Sequence, residues 1–261
     1  MKRKLGALLA VLMVAVLVLS ACTKPATPTA APQPTQAPAK TDATPAPQPA
    51  ASVGKVVIAT DAAFPPMEFV DENKNIVGFD IDMMNAIAKK MGFEVEYKNT
   101  AWDGIFAGLE GKEYDAILSA VTITDERKQK YDFSDPYINA GQAVIVRADE
   151  TAIASHKDLP GKTAGAQIGT TGAFAVEEIE GAILKEYDTI DLALLDLVNG
   201  NIDAVVVDTP VAADYVLTSE TFKGNLITLL APLCWSFYMI VLKPLMRRYS
   251  PLKLTALNML M

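Results

Sequence analysis

The sequence predicts an α/β fold of two lobes in series, each built on a mostly parallel sheet flanked by helices. Short β-branched runs alternate with segments of helical periodicity from Lys55 onward. A strand, a helix and a second strand in this order imply a right-handed crossover and parallel pairing. The same alternation begins again after Gly161, and this restart predicts the second lobe.

The first lobe is predicted to contain three strands and two helices. The strands are expected at Val56–Thr60, Val95–Tyr97 and Ala116–Ala120. The first helix should begin at Asp80, a good N-cap residue, and end at Gly92, because the apolar residues between them share one face. The second helix is expected over Trp102–Leu109.

The second lobe repeats this pattern. Its predicted strands are Thr163–Gln167, Thr189–Ile190 and Ala204–Val207. Its predicted helices are Thr171–Ile179, Ala193–Asn199 and Ala212–Leu217.

The amino terminus has the pattern of a cleaved export signal. Residues 1–21 hold three basic residues and then an apolar run that is short for a membrane span. The ending 19–22, Leu-Ser-Ala-Cys, resembles a bacterial lipobox, in which cleavage leaves a lipid-bearing cysteine as the new terminus. We therefore expect a lipoprotein anchored through Cys22 at the extracytoplasmic face of the cell membrane. An ordinary signal with a chance cysteine is the alternative.

Residues 22–54 are predicted to be a linker behind the lipidated cysteine. Residues 23–54 contain eight of the chain's 16 prolines and almost no large apolar residue. Such a composition cannot bury enough surface to offset its ordering entropy, so a semi-extended tether is expected.

Charge and composition exclude several classes of function. Residues 55–226 hold 14 Lys and Arg against 30 Asp and Glu, a net charge of −16 in a chain whose total is −8. This balance argues against nucleic acid as a partner, since binding it needs a cationic face. One His and two Cys cannot build a zinc site of clustered ligands, and we expect no metal and no other cofactor.

Polar and aromatic side chains follow the predicted strands. In open parallel sheets, ligands bind beyond the carboxyl ends of the strands. Each such residue alone is weak evidence, because Asp and Thr there are often caps or turn formers. The candidates in the first lobe are Asp61, Phe64, Ser119, Ala120 and Thr122, and those in the second are Gln167, Thr170, Thr171 and Asp208.

Arg127 provides the strongest physical argument for a ligand. With Thr124 as N-cap, Arg127 falls in the first turn of a helix, where the dipole disfavours a cation. A bound carboxylate would reverse that effect. Because Asp208 supplies the opposite charge from the other lobe, a zwitterionic amino acid would fit between them. The alternative is that Arg127 only pairs with nearby carboxylates, namely Asp125, Asp132 or Asp135.

Six ordered motifs resemble the polar amino-acid-binding proteins of ABC importers, the family 3 solute-binding proteins. They are ATDAAFPPMEF at 59–69, VGFDID at 77–82, TITDER at 122–127, DFSDPY at 132–137, GTTG at 169–172 and DAVVVD at 203–208. The resemblance covers residues 55–226. It implies a type II periplasmic-binding-protein-like clamp that is a monomer, captures an amino acid and delivers it to a membrane permease.

The resemblance also implies the domain boundaries and hinges. Lobe 1 would comprise residues 55–141 and lobe 2 residues 142–228, after which 229–261 return to lobe 1. The chain would cross between lobes near Asn139–Ala143 and again near Ile227–Leu230, so these segments are the expected hinges.

Each candidate receives an implied role. In the family, the residue matching Arg127 pairs with the ligand α-carboxylate, assisted by the Thr122 hydroxyl, and the residue matching Asp208 binds the α-ammonium. Backbone groups near four positions would contribute, namely Ser119, Ala120, Thr170 and Thr171.

The ligand side chain is expected to meet a separate group of residues. Phe64 and Trp102 would enclose it, although Trp102 is equally typical of a half-buried packing residue. Asp61 and Gln167 lie where the family sets side-chain specificity. The charge of Asp61 favours arginine, lysine, histidine or glutamine over glutamate.

Two other functions remain open on the same fold. A cyclohexadienyl dehydratase-like enzyme would need a general acid in the cleft, and Glu68 is the glutamate nearest a predicted strand end. A ligand-sensing domain would need a membrane-spanning output segment. We expect a binding protein, with no catalytic residue, and His156 as a solvated loop residue.

The segment after residue 226 departs from the family. Residues 227–261 contain no Asp or Glu and are apolar and basic. When the codons of 243–255 are read one base out of frame, they permit a string close to what the family carries there. The sequence therefore predicts a frameshift soon after Leu226, and a membrane-inserting tail is the alternative.

Overall fold

The computed structural model describes residues 54–242, with side chains through residue 229. The predicted signal, the predicted lipidation site Cys22, nearly all of the linker and residues 243–261 lie outside this range. Within residues 54–242, no helix combines the length and the apolar character needed to cross a membrane.

Twelve strands and six α-helices alternate along the described residues. The strands are β1 Lys55–Thr60, β2 Ala63–Phe64, β3 Glu68–Val70, β4 Ile76–Val77, β5 Glu94–Asn99, β6 Ala116–Thr122, β7 Asp132–Phe133, β8 Ile138–Arg147, β9 Thr163–Gln167, β10 Ile183–Tyr187, β11 Ala204–Asp208 and β12 Leu226–Leu242. The helices are α1 Phe79–Met91, α2 Trp102–Gly111, α3 Asp125–Lys130, α4 Thr171–Glu177, α5 Ile190–Val198 and α6 Thr209–Leu217.

The predicted α/β class with parallel pairing is confirmed. In the first lobe, β1 lies parallel to β5 and β6, and in the second lobe β9 lies parallel to β10 and β11. The two halves form one continuous sheet, because the long strands β8 and β12 pair antiparallel between them. A small antiparallel sheet of β2, β3 and β4 precedes α1.

Strands β8 and β12 provide the two passages between the lobes. Their pairing runs from Leu226 opposite Arg147 to Tyr238 opposite Ile138, with a register irregularity between Leu230 and Trp235. Of the expected hinge segments, Asn139–Ala143 lies in β8 and Ile227–Leu230 lies in β12. Hinge motion there remains a prediction.

Apolar side chains cover both faces of each half of the sheet. In the first lobe, Ile58 and Leu118 pack with α1 on one face, while Ile117 packs with α2 on the other. Val206 and Val205 lie in separate clusters on the two faces of the second lobe. Burial on both faces explains why β6 and β11 are apolar almost throughout. It also fixes the positions at which both strands end.

Two local predictions were wrong. Thr189–Ile190 is not a strand: Thr189 precedes α5, and the strand of this region is β10 at Ile183–Tyr187. Three of the five β10 residues are exposed at the edge of the sheet, so its apolar signal is weak. Asp80 is not an N-cap, because α1 begins at Phe79 after Gly78 and the Asp80 side chain is buried.

Gly78 determines where α1 begins. Its φ is +129°, a conformation that side chains rarely adopt, and an added Cβ would lie 2.3 Å from the Met67 carbonyl oxygen. The close approach of this turn to β3 rotates Asp80 into the interior.

Candidate functional site

A narrow cavity lies at the carboxyl ends of the strands of both lobes. All eleven residues predicted from the sequence line it, together with Glu68. The first lobe supplies Asp61, Phe64, Glu68, Trp102, Ser119, Ala120, Thr122 and Arg127, and the second supplies Gln167, Thr170, Thr171 and Asp208. The strand-end argument therefore located one continuous cavity.

Arg127 is held in place by contacts from both lobes. The Thr124 hydroxyl caps α3 by accepting a hydrogen bond from the Arg127 amide at 3.1 Å, as predicted. The guanidinium donates to the Thr122 carbonyl at 2.9 Å and to the Gly169 carbonyl at 3.1 Å. Burial lowers the pKa of Arg127 to about 10, so the side chain is still a cation at neutral pH.

Aromatic rings cover the Arg127 guanidinium. Its central carbon lies 5.5 Å from the Trp102 ring centroid and 5.1 Å from that of Phe106. Trp102 also packs in the core of its lobe, with its ring edge-on to Phe106 at 5.5 Å. Trp102 thus combines the lining role and the packing role. Phe106 was missed by the sequence analysis, although it lies one helical turn after Trp102.

The carboxylate that most strongly favours the charged form of Arg127 is Asp208, in the opposite lobe. Asp125 lies 3.6 Å from Lys128 on the same helix. The charge of Asp208 and the Asp125–Lys128 contact favour the cross-cleft interpretation over pairing of Arg127 with Asp125. The helix-dipole argument is weaker than the sequence suggested, because α3 has only six residues.

Asp208 ends β11 and is buried beside the cavity. Gln142 lies opposite it on β8, and its amide donates both to an Asp208 oxygen and, at 3.2 Å, to the Thr171 hydroxyl. The sequence analysis missed Gln142. Its signal is a polar residue in a strand whose neighbours Ala143–Val146 are fully buried.

Asp61 is a buried carboxylate that contacts both lobes. Its Oδ2 accepts a hydrogen bond from Gln167 Nε2 at 2.8 Å, and the same amide donates to the Asp188 carbonyl at 2.9 Å. Burial raises the pKa of Asp61 to about 6, and the Gln167 hydrogen bond limits that rise. Asp61 is therefore mainly ionised at pH 7 and titrates just below it.

Three polar contacts join the two lobes across the cavity. Besides the bonds from Gln167 to Asp61 and from Arg127 to Gly169, the hydroxyls of Thr122 and Thr171 lie 3.4 Å apart. The lobes are thus in contact in this structure. Opening the cleft would break all three contacts.

This architecture defines a class of protein: a two-lobed α/β protein whose polar cavity lies between the lobes, with opposite charges contributed from the two sides. The particular family follows from comparison with known proteins. The chain belongs to the bacterial extracellular solute-binding proteins, family 3, whose family model matches residues 56–255.

Relatives and solved structures agree with this assignment. A protein of Neisseria gonorrhoeae named "Probable histidine-binding protein" is 38% identical over 185 residues, 69% of each chain. The structure of the arginine-, lysine-, histidine-binding protein ArtJ from Geobacillus stearothermophilus has a TM-score of 0.71 and 39% identity, covering 78% of this chain and 88% of that one. An ancestral amino acid-binding protein described as a precursor of cyclohexadienyl dehydratase has a TM-score of 0.70 and 33% identity, covering 78% and 88%.

Proposed function

We propose that this protein captures an amino acid with a cationic or amide side chain between its lobes and delivers it to an ABC permease. The observation that carries the proposal is the charge arrangement of the cavity. Arg127 faces the buried carboxylate Asp208 across the cleft, and Asp61 supplies a second carboxylate. An amino acid presents the complementary set, with one carboxylate, one ammonium and a side chain that reaches toward Asp61.

The main-chain groups of the ligand are bound by the two opposed charges. The α-carboxylate binds to the Arg127 guanidinium near the Thr122 hydroxyl, and the backbone N–H groups at the start of α4 add donors there. The α-ammonium binds to Asp208, which Gln142 orients. Ser119 and Ala120 also line the cavity.

The ligand side chain extends between the Phe64 and Trp102 rings toward Asp61 and Gln167. Ionised Asp61 attracts a cation or an amide N–H and repels a carboxylate. The net charge of −16 over residues 55–226 acts in the same direction by raising the local concentration of cations.

A thermal-shift screen of the purified protein tests this preference. Arginine, lysine, histidine and glutamine should raise the melting temperature, because a ligand that binds only the folded state stabilises it. Glutamate and leucine serve as acidic and apolar comparisons. If only glutamate or leucine stabilised the protein, the proposed side-chain preference would be wrong.

We also propose that the protein is held at the membrane surface by lipid on Cys22. Membrane fractionation of Cys22→Ser cells should release the protein into the soluble fraction. Cys234→Ser is the matched control, because it removes the chain's other thiol. Equal release of both variants would contradict the anchor.

Enzymatic activity is the second candidate function, favoured by the similarity to the dehydratase precursor and by an acidic side chain, Glu68, at the cavity. We favour binding without chemistry because Glu68 is engaged by Ser119 and Asp80. Incubation with prephenate or arogenate distinguishes the two, since turnover would establish the enzyme.

The proposed frameshift is tested on the gene itself. The family model matches residues 56–255 in the frame as given, and the proposal rests on the composition of residues 227–261 and the codon pattern of residues 243–255. Sequencing codons 226–245 should reveal an inserted or deleted base. An intact frame without a slip site would contradict the frameshift.

A further inference from the structure

Two carboxyl groups are fully buried at the cavity wall, and one of them, Glu68, also lines the cavity. Glu68 on β3 and Asp80 in α1 are both 0% exposed. Glu68 Oε1 accepts a hydrogen bond from the Ser119 hydroxyl at 3.0 Å. Asp80 Oδ2 accepts from the Ala120 amide at 3.0 Å and from the Tyr137 hydroxyl at 2.7 Å. One oxygen of each carboxyl is therefore satisfied by the elements around it.

The other oxygen of each group has no donor among the described residues. Glu68 Oε2 and Asp80 Oδ1 are both buried, and both lack a hydrogen-bond partner when the two groups are ionised. The two side chains nevertheless lie within hydrogen-bonding reach of each other. A hydrogen bond between two carboxyl groups requires a proton on one of them, and Glu68 Oε2 and Asp80 Oδ1 are the oxygens that no other described group engages.

We propose that Glu68 and Asp80 share one proton and act as a positioning pair, which holds Ser119 and Ala120 in the shape that binds the amino acid. The positioning role rests on the proposed function. The shared proton itself is a property of the folded chain without ligand.

The surrounding groups place the proton on Glu68. Burial and the charge of Asp80 raise the pKa of Glu68 well above its ordinary value, and Asp61 adds to the effect. Burial also raises the pKa of Asp80, but only to about 6, because three donors favour its ionised form: the Ala120 amide, the Tyr137 hydroxyl and Glu68. Burial, and after it the charge of Asp80, raise the pKa of Tyr97, which packs from β5. At pH 7 the pair is thus a Glu68 carboxylic acid and an Asp80 carboxylate.

The pair acts on a strained part of the cavity wall. Ala120 has a φ of +45°, in the left-handed region that residues with a Cβ seldom occupy. Asp80 accepts a hydrogen bond from the Ala120 amide, and Glu68 accepts one from the Ser119 hydroxyl. The same hydroxyl accepts a hydrogen bond from the Asp61 amide at 3.0 Å. Both residues line the cavity. Repulsion between two ionised carboxylates would release this segment.

Amide substitutions test whether one proton is shared. Glu68→Gln supplies an N–H for Asp80 and keeps an oxygen that accepts from Ser119. Asp80→Asn supplies an N–H for Glu68 and keeps an oxygen that accepts from Ala120 and Tyr137. In the double variant, two amide NH₂ groups face each other and one must turn away, breaking a bond to the wall. We expect each single variant to bind arginine within about threefold of wild type and the double variant to lose at least about tenfold. A double variant equal to the product of the singles would overturn the proposal.

A second measurement on the ligand-free protein detects the proton directly. An acid whose pKa is raised by folding stabilises the protein at low pH and loses that contribution as pH rises from its unfolded value to its folded value. The ratio of the unfolding constant of wild type to that of Glu68→Gln should therefore rise with pH, by up to about tenfold per pH unit above about pH 5. Urea unfolding between pH 5 and 8, followed by tryptophan fluorescence, gives this ratio. Parallel profiles would overturn the shared proton.

Exposed carboxylates on the same elements provide matched controls. Glu72→Gln follows β3 and Asp82→Asn lies on α1, and both side chains are exposed. Neither control should change the pH profile or the affinity. If wild type bound none of the amino acids tested, the proposed function would fail while the unfolding data still decided the shared proton. If wild type bound arginine and the pair behaved additively, only this inference would fail.

Discussion

The two lobes build their halves of the cavity in different ways. In the first lobe, buried contacts within the lobe hold the wall, as Glu68 and Asp80 do for Ser119 and Ala120. In the second lobe, an amide on β8, that of Gln142, holds Asp208 and Thr171. Each wall is therefore supported within its own lobe, by carboxyl groups in the first and by an amide in the second, whereas the Gln167–Asp61 and Arg127–Gly169 bonds require the lobes to meet. Substitutions at the supports within a lobe should affect affinity directly, and those at the cross-cleft contacts partly through closure.

The largest effect is expected for Arg127→Met. The variant removes the partner of the ligand carboxylate and leaves the Thr122 and Gly169 carbonyls without their guanidinium donor. Removing one member of a buried charged pair costs about 2–5 kcal/mol, which corresponds to roughly 30- to 4,000-fold weaker binding. Calorimetric titration with arginine measures this change. Lys128→Met on the same helix should retain wild-type affinity, and a loss below about tenfold in Arg127→Met would contradict the role of Arg127.

Asp208→Asn should weaken binding less, by about 10- to 100-fold, because the asparagine oxygen can still accept from Gln142 and from the ligand ammonium. Stability should change little for the same reason. An arginine analogue without the α-ammonium sharpens the test. Wild type should discriminate strongly against the analogue, and the variant should discriminate less. Asp149→Asn, whose side chain is 91% exposed, is the control in the same lobe. Unchanged discrimination in Asp208→Asn would assign the ammonium to another group.

The contrast between the lobes also explains what the sequence could and could not predict. The ends of strands β1, β6, β9 and β11 were predictable because apolar runs mark parallel strands, and they placed nine of the eleven predicted lining residues. Arg127 was predicted from the helix that Thr124 caps, and Trp102 from the family resemblance. The partners behind the wall were not predictable. Gln142 approaches Asp208 only because β8 runs antiparallel to β11.

The buried carboxyl pair shows a second limit. Asp80 satisfied the pattern of an N-cap, and only the turn at Gly78 directs it inward. The sequence analysis considered Glu68 as a single general acid and not as the partner of Asp80, because that pairing depends on how β3 packs against α1. Local sequence patterns describe single elements, whereas buried polar groups are explained by contacts between elements.

The pH dependence of binding separates Asp61 from the other charges. Because the Asp61 pKa is about 6, protonation below that pH removes the negative charge that attracts a cationic side chain. Arginine affinity should fall by up to about tenfold per pH unit below pH 6 and be nearly constant from pH 7 to 8. Asp61→Asn should bind more weakly at pH 7 and lose this dependence. Glutamine, a neutral ligand, should show a smaller dependence in wild type. An identical fall for Asp61→Asn would assign the titration to another group.

The smallest effect is expected at the Thr122 and Thr171 hydroxyls, which meet across the cleft at 3.4 Å. Thr171→Val removes this contact and also the acceptor of one Gln142 N–H. A hydrogen bond contributes about 0.5–1.5 kcal/mol, and Gln142 keeps its bond to Asp208, so Thr171→Val should weaken binding by roughly 2- to 10-fold, with exposed Thr151→Val as control. The double variant with Thr122→Val decides how the two halves cooperate. If closure needs the pair, the double variant should be no weaker than the more affected single variant. If Thr122 instead contacts the ligand from a preformed first lobe, Thr122→Val should cost more than Thr171→Val and the two losses should multiply.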